Sequence, residues 1–362
     1  MPGLSERARA EIHPAALRHN LTVVRRLAPG RRVYAAVKAD AYGHGVARLA
    51  DALRDADGLA VASFAELQAL RAAGLTQPVV LLSDVLDGDL SALAADPDAE
   101  PLLFSTVQFD RLAAIAAEHP RRVWIKLDTG MHRLGFVPDQ AASLHERVRA
   151  TPGLTLAGWM THLGCADDPD DPMTTRQVAR FDAALASLPG SRSIANSAGI
   201  CAWPRTHADL VRPGIMLYGG SPLLDRSAAD LGLKPVMTLS APLISRTEIP
   251  AGEPVGYGAT WRAPETMPVG VVAIGYGDGY PRHAPSGTPV SLAGAPTPLV
   301  GRVSMDMITV DLRRAPDARV GDRVELWGAD VPADAVARAA GTIAYELFCR
   351  LSPRVQFRVC QG

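Results

Sequence analysis

The chain has 362 residues, 48% of them apolar and 21% charged, which is typical of a globular protein with a sizeable core and room for two or three domains. A formal net charge of −1 gives no reason to expect nucleic acid or anionic lipid as a partner. The chain lacks a signal-peptide core and any uninterrupted run of 18 apolar residues, and its four cysteines have no paired spacing, so we expect a cytoplasmic protein with reduced thiols and no membrane span.

The first half of the chain alternates strand-like and helix-like segments. Residues 7–12 predict a short half-buried strand, and 13–27 have helical spacing. Further helices are predicted at 64–73, 106–118, 138–150 and 174–188, with a short, weakly marked one around 87–95. Eight strands are predicted at 33–37, 59–63, 79–82, 101–104, 122–127, 155–161, 192–195 and 209–217. Eight alternating units favour a closed (β/α)₈ barrel, with an open doubly wound sheet as the alternative.

The composition of the sequence changes after Gly220, and the spacing of apolar residues is no longer helical until about residue 332. Short β-rich runs separated by turn signals follow at 236–248, 269–275, 289–293, 299–303, 307–312 and 322–327, with a helix near 332–339. We therefore predict an α/β barrel domain over 1–220 and a mostly β domain over 221–362, with the N-terminal strand packing on the second domain.

Lys38 is the first residue whose chemistry stands out. It follows a buried strand, and only three of the 37 basic residues are lysine. Partial burial lowers the pKa of an amine and makes it a base or a nucleophile that condenses with aldehydes. The alternative is a lysine that merely extends to solvent from a strand end.

Other unusual residues also fall at predicted strand ends, where barrels of this type carry their active sites. Lys126 lies near the end of the fifth predicted strand, His162 ends the sixth, and Asn196 and Ser197 end the seventh. Ser197 and the backbone around Gly214 suit an anion bound after the last two strands. A phosphate site beside a reactive lysine indicates a phosphorylated aldehyde cofactor, and pyridoxal phosphate is that cofactor.

The second domain offers two tyrosines framed by glycines, Tyr257 and Tyr276. Each has an exposed phenol on a pliable backbone, although an ordinary turn aromatic is an equally good interpretation. The glycine-rich run 275–279 is no dinucleotide fingerprint, because no helix follows it. The nine histidines show no metal-ligand spacing, so we expect no metal.

These motifs together resemble the alanine racemase family, of the fold type III pyridoxal-phosphate enzymes, over nearly the full length. The matching stretches are AVKADAYGHG (36–45), KLDTGMHRLGF (126–136), THLGCADD (161–168), ANSAG (195–199), VRPGIMLYG (211–219), GYGATW (256–261), GYGDGY (275–280), VGRVSMDM (300–307) and TIAYE (342–346).

The resemblance implies a role for each matching residue. Lys38 would form the internal aldimine and act as base on the face that handles D-alanine, while Tyr257 of a partner subunit serves the opposite face. Implied cofactor contacts come from Lys38, Tyr42, His162, Asn196, Ser197, Arg212, Gly214, Ile215 and Tyr345. Implied substrate contacts come from Arg133, Met305 and Tyr276. Lys126 matches a lysine that is carbamylated in some relatives.

The activity implied is the interconversion of L- and D-alanine, an isomerase reaction that supplies D-alanine as a peptidoglycan precursor, in a homodimer with shared sites. Two bases on opposite faces suit racemisation, because one proton must leave Cα and another must arrive from the other side. A broad-specificity racemase is the main alternative. A fold type III decarboxylase, which would need a cysteine–aspartate pair, and a non-enzymatic pyridoxal-phosphate binding protein, which would be a barrel alone, fit less well.

Overall fold

The computed structural model describes residues 8–83 and 90–360. Within these ranges no helix is both long enough and apolar enough to cross a membrane. The described chain begins with strand β1 (Arg9–Ile12) and helix α1 (Pro14–Leu27). Pro14 suits the first turn of a helix, because its φ is already helical and it lacks the N–H that would have no partner there. Arg7, the first residue of the predicted strand, lies outside the described residues.

Eight parallel strands and the helices between them follow. The strands are β2 (Arg32–Ala36), β3 (Gly58–Val61), β4 (Val79–Leu81), β5 (Ala99–Leu103), β6 (Arg121–Lys126), β7 (Leu154–Met160), β8 (Ser191–Ser193) and β9 (Leu210–Val211). The helical segments are α2 (Lys38–Tyr42), α3 (Val46–Leu53), α4 (Phe64–Ala72), α5 (Leu90–Ala95), α6 (Thr106–Ala116), α7 (Ala141–Ala150), α8 (Met173–Ala184) and α9 (Ser197–Ala202), with short 3₁₀ turns at Pro138–Gln140, Pro204–Thr206 and Ile215–Tyr218. Residues 87–89 of the weakly marked predicted helix lie outside the described ranges.

The eight strands form a barrel. Their order is β8-β7-β6-β5-β4-β3-β2-β9, so the two ends of the sheet are β8 and β9. Backbone hydrogen bonds join these ends: the Asp209 amide donates to Arg192 O at 3.1 Å, and the Arg212 amide to Ala195 O at 3.0 Å. The predicted (β/α)₈ architecture is therefore confirmed, and the open-sheet alternative is excluded.

Side-chain alternation along the strands separates the barrel interior from the helix-facing layer. The interior holds its own buried cluster, comprising Tyr34, Ala60, Val80, Leu102, Trp124, Ala157, Met160 and Leu210. Below it, at the amino end, the Trp124 indole donates to buried Glu100 at 2.7 Å. Lys126 and Arg212 come two residues after Trp124 and Leu210 of this cluster. Alternation therefore points their side chains into the barrel as well, nearer its carboxyl end. Two buried cations therefore lie at the carboxyl mouth of the barrel.

The rest of the chain is mostly β. Its strands are β10 (Met237–Ile249), β11 (Pro254–Val255), β12 (Trp261–Arg262), β13 (Met267–Val272), β14 (Ser291–Leu292), β15 (Ala295–Pro296), β16 (Ile308–Asp311), β17 (Arg323–Trp327) and β18 (Gln356–Val359). Two helices, α10 (Ala333–Ala339) and α11 (Ala344–Cys349), and 3₁₀ turns at Tyr257–Ala259 and Tyr276–Asp278 complete it. The central strand β10 pairs with β1, β13 and β17, and β1 lies between β10 and β18.

Two predicted strands are wrong in part, and four short strands, β11, β12, β15 and β18, were not predicted. The last barrel strand ends at Val211 instead of 217, because Pro213 has no N–H to donate and the chain turns into the 3₁₀ helix at Ile215. Residues 299–303 form only an isolated bridge at Leu299, since Gly301 has a left-handed φ of 75° that interrupts an extended strand. The terminal strand β18 lacks a clear alternation and went unrecognised.

Candidate active site

Lys38 lies at the carboxyl mouth of the barrel, two residues beyond the end of β2. Its side chain remains open to solvent at the mouth, while the surrounding protein desolvates the amine. This burial lowers the pKa of Lys38, and the positive charge of Arg133 lowers it further, whereas Glu66 opposes the change. The amine is therefore a better nucleophile and base at neutral pH than an ordinary lysine.

The segment Lys38–Tyr42, named here the Lys38 turn, is a left-handed helical turn. Ala39, Asp40, Ala41 and Tyr42 all have positive φ, between 51° and 55°. Such conformations are costly for L-residues and rarely occur consecutively. The turn places Lys38 at the barrel mouth and sends Tyr42 into the interior, where it is only 7% exposed.

A group of cations surrounds Lys38. Lys126 is buried, and burial, followed by the charges of Arg133 and Arg212, lowers its pKa to about 8. Burial, Arg212 and Lys126 lower the pKa of His162 well below its ordinary value. These groups occupy adjoining strand ends, so the mouth of the barrel is electropositive and favours an anionic ligand.

Arg212 is held by three neutral acceptors. Its guanidinium donates to the Ser193 hydroxyl, to Thr161 O at 2.7 Å and to Ile194 O at 3.2 Å. Burial lowers its pKa to about 10, which still leaves it protonated at neutral pH. Arg212 has no carboxylate partner among the described residues, and such a buried cation is unfavourable unless another group faces it, which makes Arg212 a candidate for contact with an anionic or polar ligand.

The polar groups at the other side of the mouth converge on one small region. Ser197 Oγ accepts a hydrogen bond from the Gly214 amide at 2.8 Å, and the Tyr42 hydroxyl lies so close to Gly214 that a Cβ there would be 2.5 Å from it. The Tyr345 ring lies 5.7 Å from that of Tyr42. Asn196 caps α9 by accepting from the Gly199 amide at 2.9 Å. Hydroxyl and backbone donors meeting at glycine form a site that suits a phosphate.

The chemistry of this donor set fits pyridoxal phosphate. The phosphate matches the hydroxyl and amide donors near Gly214, and the aldehyde matches the amine of Lys38. Burial raises the pKa of Tyr42 and of Tyr345, so both phenols stay protonated and donate hydrogen bonds at neutral pH. The adjacent cations Lys126, Arg133 and Arg212 offset the negative charge of such a ligand.

Three residues that the resemblance assigned to the reaction lie outside this cluster in the single chain. Tyr257 sits at the tip of the β11–β12 hairpin and is 69% exposed. Tyr276 and Met305 lie together on the second domain, where the Gly277 amide donates to Met305 O at 2.9 Å, and both side chains are exposed. One chain therefore brings together the cofactor groups but leaves these three on an outward surface.

Sequence reasoning missed several residues that shape the site. Tyr218 is fully buried, stacks on Tyr42 at 4.7 Å between ring centroids and donates to Ala36 O at 3.0 Å. Glu66 accepts from the Ala39 amide, and His44 contacts the carbonyls of the Lys38 turn. The only available signal was the capping-box spacing of Ser63 and Glu66, which predicts a helix start and not a contact with α2.

Comparison with known proteins agrees with this site. Residues 12–222 match the family described as alanine racemase, N-terminal domain, and residues 236–359 match alanine racemase, C-terminal domain. The chain is 50% identical to the alanine racemase of Halorhodospira halophila, over 99% of each chain, and 51% identical to that of Nitrosococcus oceani, over 96% of this chain and 97% of the relative. The crystal structure of biosynthetic alanine racemase from Pseudomonas aeruginosa covers 98% of this chain and 100% of its own, with 45% identity and a TM-score of 0.92.

The structure of alanine racemase from Acinetobacter baumannii is similar to the same extent, with 40% identity, a TM-score of 0.93 and coverage of 98% of this chain and 100% of that chain. Fold, site and similarity together define a barrel-type pyridoxal-phosphate enzyme with a β second domain. The chain belongs to the alanine racemase family, whose enzymes are isomerases that use pyridoxal 5′-phosphate.

Proposed function

We propose that this chain interconverts L-alanine and D-alanine, with Lys38 and Tyr257 as the two acid–base groups. The observation that carries the proposal is the lowered pKa of the Lys38 amine, which lies among other cations at the mouth of the barrel. The chain is also 50% identical to an alanine racemase over 99% of its length. When bound, pyridoxal phosphate takes up the electron pair left as the Cα proton departs. The protein must then remove a proton from one face of Cα and deliver one to the other.

Lys38 serves the face that handles D-alanine. Its lowered pKa increases the fraction of neutral amine, which both bonds the cofactor and accepts a proton. Tyr257 serves the opposite face. Its exposed position on a hairpin tip suits a group that is contributed to another copy of the chain.

Arg212 would hold the ring nitrogen of bound pyridoxal phosphate in this proposal. Hydrogen bonds to Thr161 O and Ile194 O fix the guanidinium, and its pKa of about 10 keeps its protons in place. A donor that does not release its proton leaves the ring nitrogen unprotonated, which limits side reactions that need a stronger electron sink. His162, kept neutral beside these cations, borders the same region.

Tyr42, Ser197, Tyr345 and the backbone of Gly214 and Ile215 hold the phosphate. The Ser197 hydroxyl accepts from the Gly214 amide and therefore has its own proton free to donate, and Asn196 fixes the start of α9 behind it. Arg133, Met305 and Tyr276 contact the substrate carboxylate or narrow its entrance. The small side chain of alanine suits an entrance that a tyrosine ring narrows.

Lys126 is carbamylated in this proposal. Its amine is buried and has a pKa of about 8, so a useful fraction is neutral at physiological pH and available to carbon dioxide. Carbamylation converts a cation into an anion. The product pairs with Arg133 and relieves the repulsion between them.

We also propose a homodimer in which each site takes Lys38 from one copy and Tyr257 from the other. The exposed side chains of Tyr257, Tyr276 and Met305 support this arrangement, because a second copy would cover them. The proposed domain division at about residue 220 is supported by the separate matches to residues 12–222 and 236–359. A cytoplasmic location is supported by the free thiols of all four cysteines.

The test is to purify the protein with pyridoxal phosphate and follow circular dichroism of L- and D-alanine separately. We expect both signals to decay to zero without loss of amino acid. Loss of carbon dioxide would instead indicate a decarboxylase, and equally rapid racemisation of lysine, arginine or serine would indicate a broad-specificity enzyme. A stable signal from both enantiomers would contradict the proposal.

A further inference from the structure

The Lys38 turn joins the residue proposed to bond the cofactor to one proposed to hold its phosphate. Its four consecutive left-handed residues include no glycine, so the peptide does not favour this conformation by itself. Surrounding structure must therefore stabilise it. Two side chains, from Glu66 and His44, make hydrogen bonds to the backbone of this turn.

Glu66 holds the beginning of the turn. One carboxylate oxygen accepts from the Ala39 amide at 2.7 Å, directly after Lys38. The other accepts from the amides of Ala62 and Ser63 at 2.6 and 3.3 Å, at the start of α4. An ordinary capping box uses the glutamate only at its own helix start. Here the same carboxylate also connects the loops that follow the first two barrel strands.

His44 holds the end of the turn. Its Nδ1 lies 3.1 Å from Ala41 O and 2.9 Å from Tyr42 O, and since both partners are carbonyls, Nδ1 carries the proton. The ring is fully buried, 4.7 Å from the Tyr218 ring and 5.0 Å from that of Phe348. Nε2 has no hydrogen-bond partner within the described residues, which agrees with a neutral ring fixed in this tautomer.

We propose that Glu66 and His44 are positioning residues that keep the Lys38 turn left-handed, so that the amine of Lys38 and the hydroxyl of Tyr42 reach one cofactor molecule together. The inference rests on the proposed function in one respect, that Lys38 and Tyr42 both contact pyridoxal phosphate. Without these contacts the turn relaxes toward conformations that L-residues prefer. Only the fraction still left-handed then binds the cofactor with full affinity.

Glu66→Ala and Ser63→Ala form a matched pair for the test. Both remove half of the same capping box, since the Ser63 hydroxyl accepts from the Glu66 amide at 3.2 Å, but only Glu66 contacts Ala39. The measurement is the dissociation constant of pyridoxal phosphate for each apoprotein, together with borohydride trapping on Lys38 mapped by mass spectrometry. We expect affinity to fall by about tenfold or more in Glu66→Ala and by less than about twofold in Ser63→Ala.

A second pair covers the case in which Glu66→Ala does not fold. His44→Phe keeps the ring contacts but loses the donor, whereas His44→Asn restores a donor near Nδ1. We expect weakened cofactor binding in His44→Phe and partial recovery in His44→Asn. Equal affinities within each pair would overturn the inference while leaving the proposed function intact. Wild-type protein that binds no pyridoxal phosphate would instead overturn the proposed function.

Discussion

Gly214→Ala is a substitution whose effect follows directly from the geometry of the phosphate site. The added methyl group would lie 2.5 Å from the Tyr42 hydroxyl and 3.2 Å from its Cζ, well inside van der Waals contact. The Tyr42 ring cannot easily move aside, because Tyr218 stacks on it at 4.7 Å and Tyr345 lies 5.7 Å away. Overpacking of this kind costs about 1–3 kcal/mol.

The same movement disturbs the proposed ligand contacts. Displacing Gly214 lengthens the 2.8 Å hydrogen bond from its amide to Ser197, and displacing Tyr42 removes a phosphate donor. Loss of one such contact corresponds to about 1.5–3 kcal/mol, or roughly 10- to 150-fold in affinity. We therefore expect both lower stability and weaker binding of pyridoxal phosphate.

Gly58→Ala is the matched control. Its methyl group would lie 2.5 Å from the ring of Tyr34, another buried barrel tyrosine, but one whose hydroxyl interacts with Glu100 and Arg32 at the opposite, amino end of the barrel. Denaturant unfolding of the apoproteins should show losses of the same order for both variants, whereas cofactor titration should show weakened binding for Gly214→Ala alone. Similar cofactor affinities in the two variants would refute the reasoning.

A double mutant tests the contact itself. Tyr42→Phe removes the hydroxyl and leaves Cζ, at 3.2 Å, as the nearest ring atom to the added methyl. Gly214→Ala should therefore cost about 1 kcal/mol less in the Tyr42→Phe background than in the wild type. Additive losses of stability would show that the clash lies elsewhere.

Two other predictions follow from the pKa shifts. Burial lowers the pKa of His44 to about 4, below its unfolded value near 6.5, so the unfolded state binds more protons and stability is lost as pH falls between these values. The free energy of unfolding should drop by about 2 kcal/mol more for the wild type than for His44→Phe between pH 7 and pH 5, and equal drops would contradict this. Carbamylation of Lys126 needs the neutral amine, whose pKa is about 8. A ¹³C-bicarbonate NMR signal should therefore grow as pH rises through 8 and be absent in Lys126→Ala; its persistence in that variant would contradict the assignment.

The barrel and its mouth were predictable because they depend on local patterns. Alternating strands and helices indicate a parallel barrel, and a lysine after a buried strand indicates a functional amine, as at Lys38. The ends of strands were less predictable where a single proline or glycine interrupts a run of strand-forming residues. Pro213 ends the last barrel strand early, and Gly301 interrupts a run whose composition otherwise favours a strand.

The Lys38 turn could not be predicted, because its residues carry no local preference for a left-handed conformation. Alanine favours right-handed helix, and we propose that the distant carboxylate of Glu66 and the buried ring of His44 help to select the alternative. The position of Tyr257 has a different cause. We propose that this exposed phenol on the second domain becomes a site residue through another copy of the chain, whereas a single chain shows only that the side chain is exposed.

Complementation between Lys38→Ala and Tyr257→Phe tests the shared site most directly. Each variant alone should have little racemase activity. In a hybrid dimer, one site carries both substitutions and the other carries neither. Random reassembly of equal amounts should therefore restore about one quarter of wild-type activity, since half of the dimers are hybrids with one intact site. If each site instead used both residues from one chain, mixing would restore nothing, and the account would be wrong.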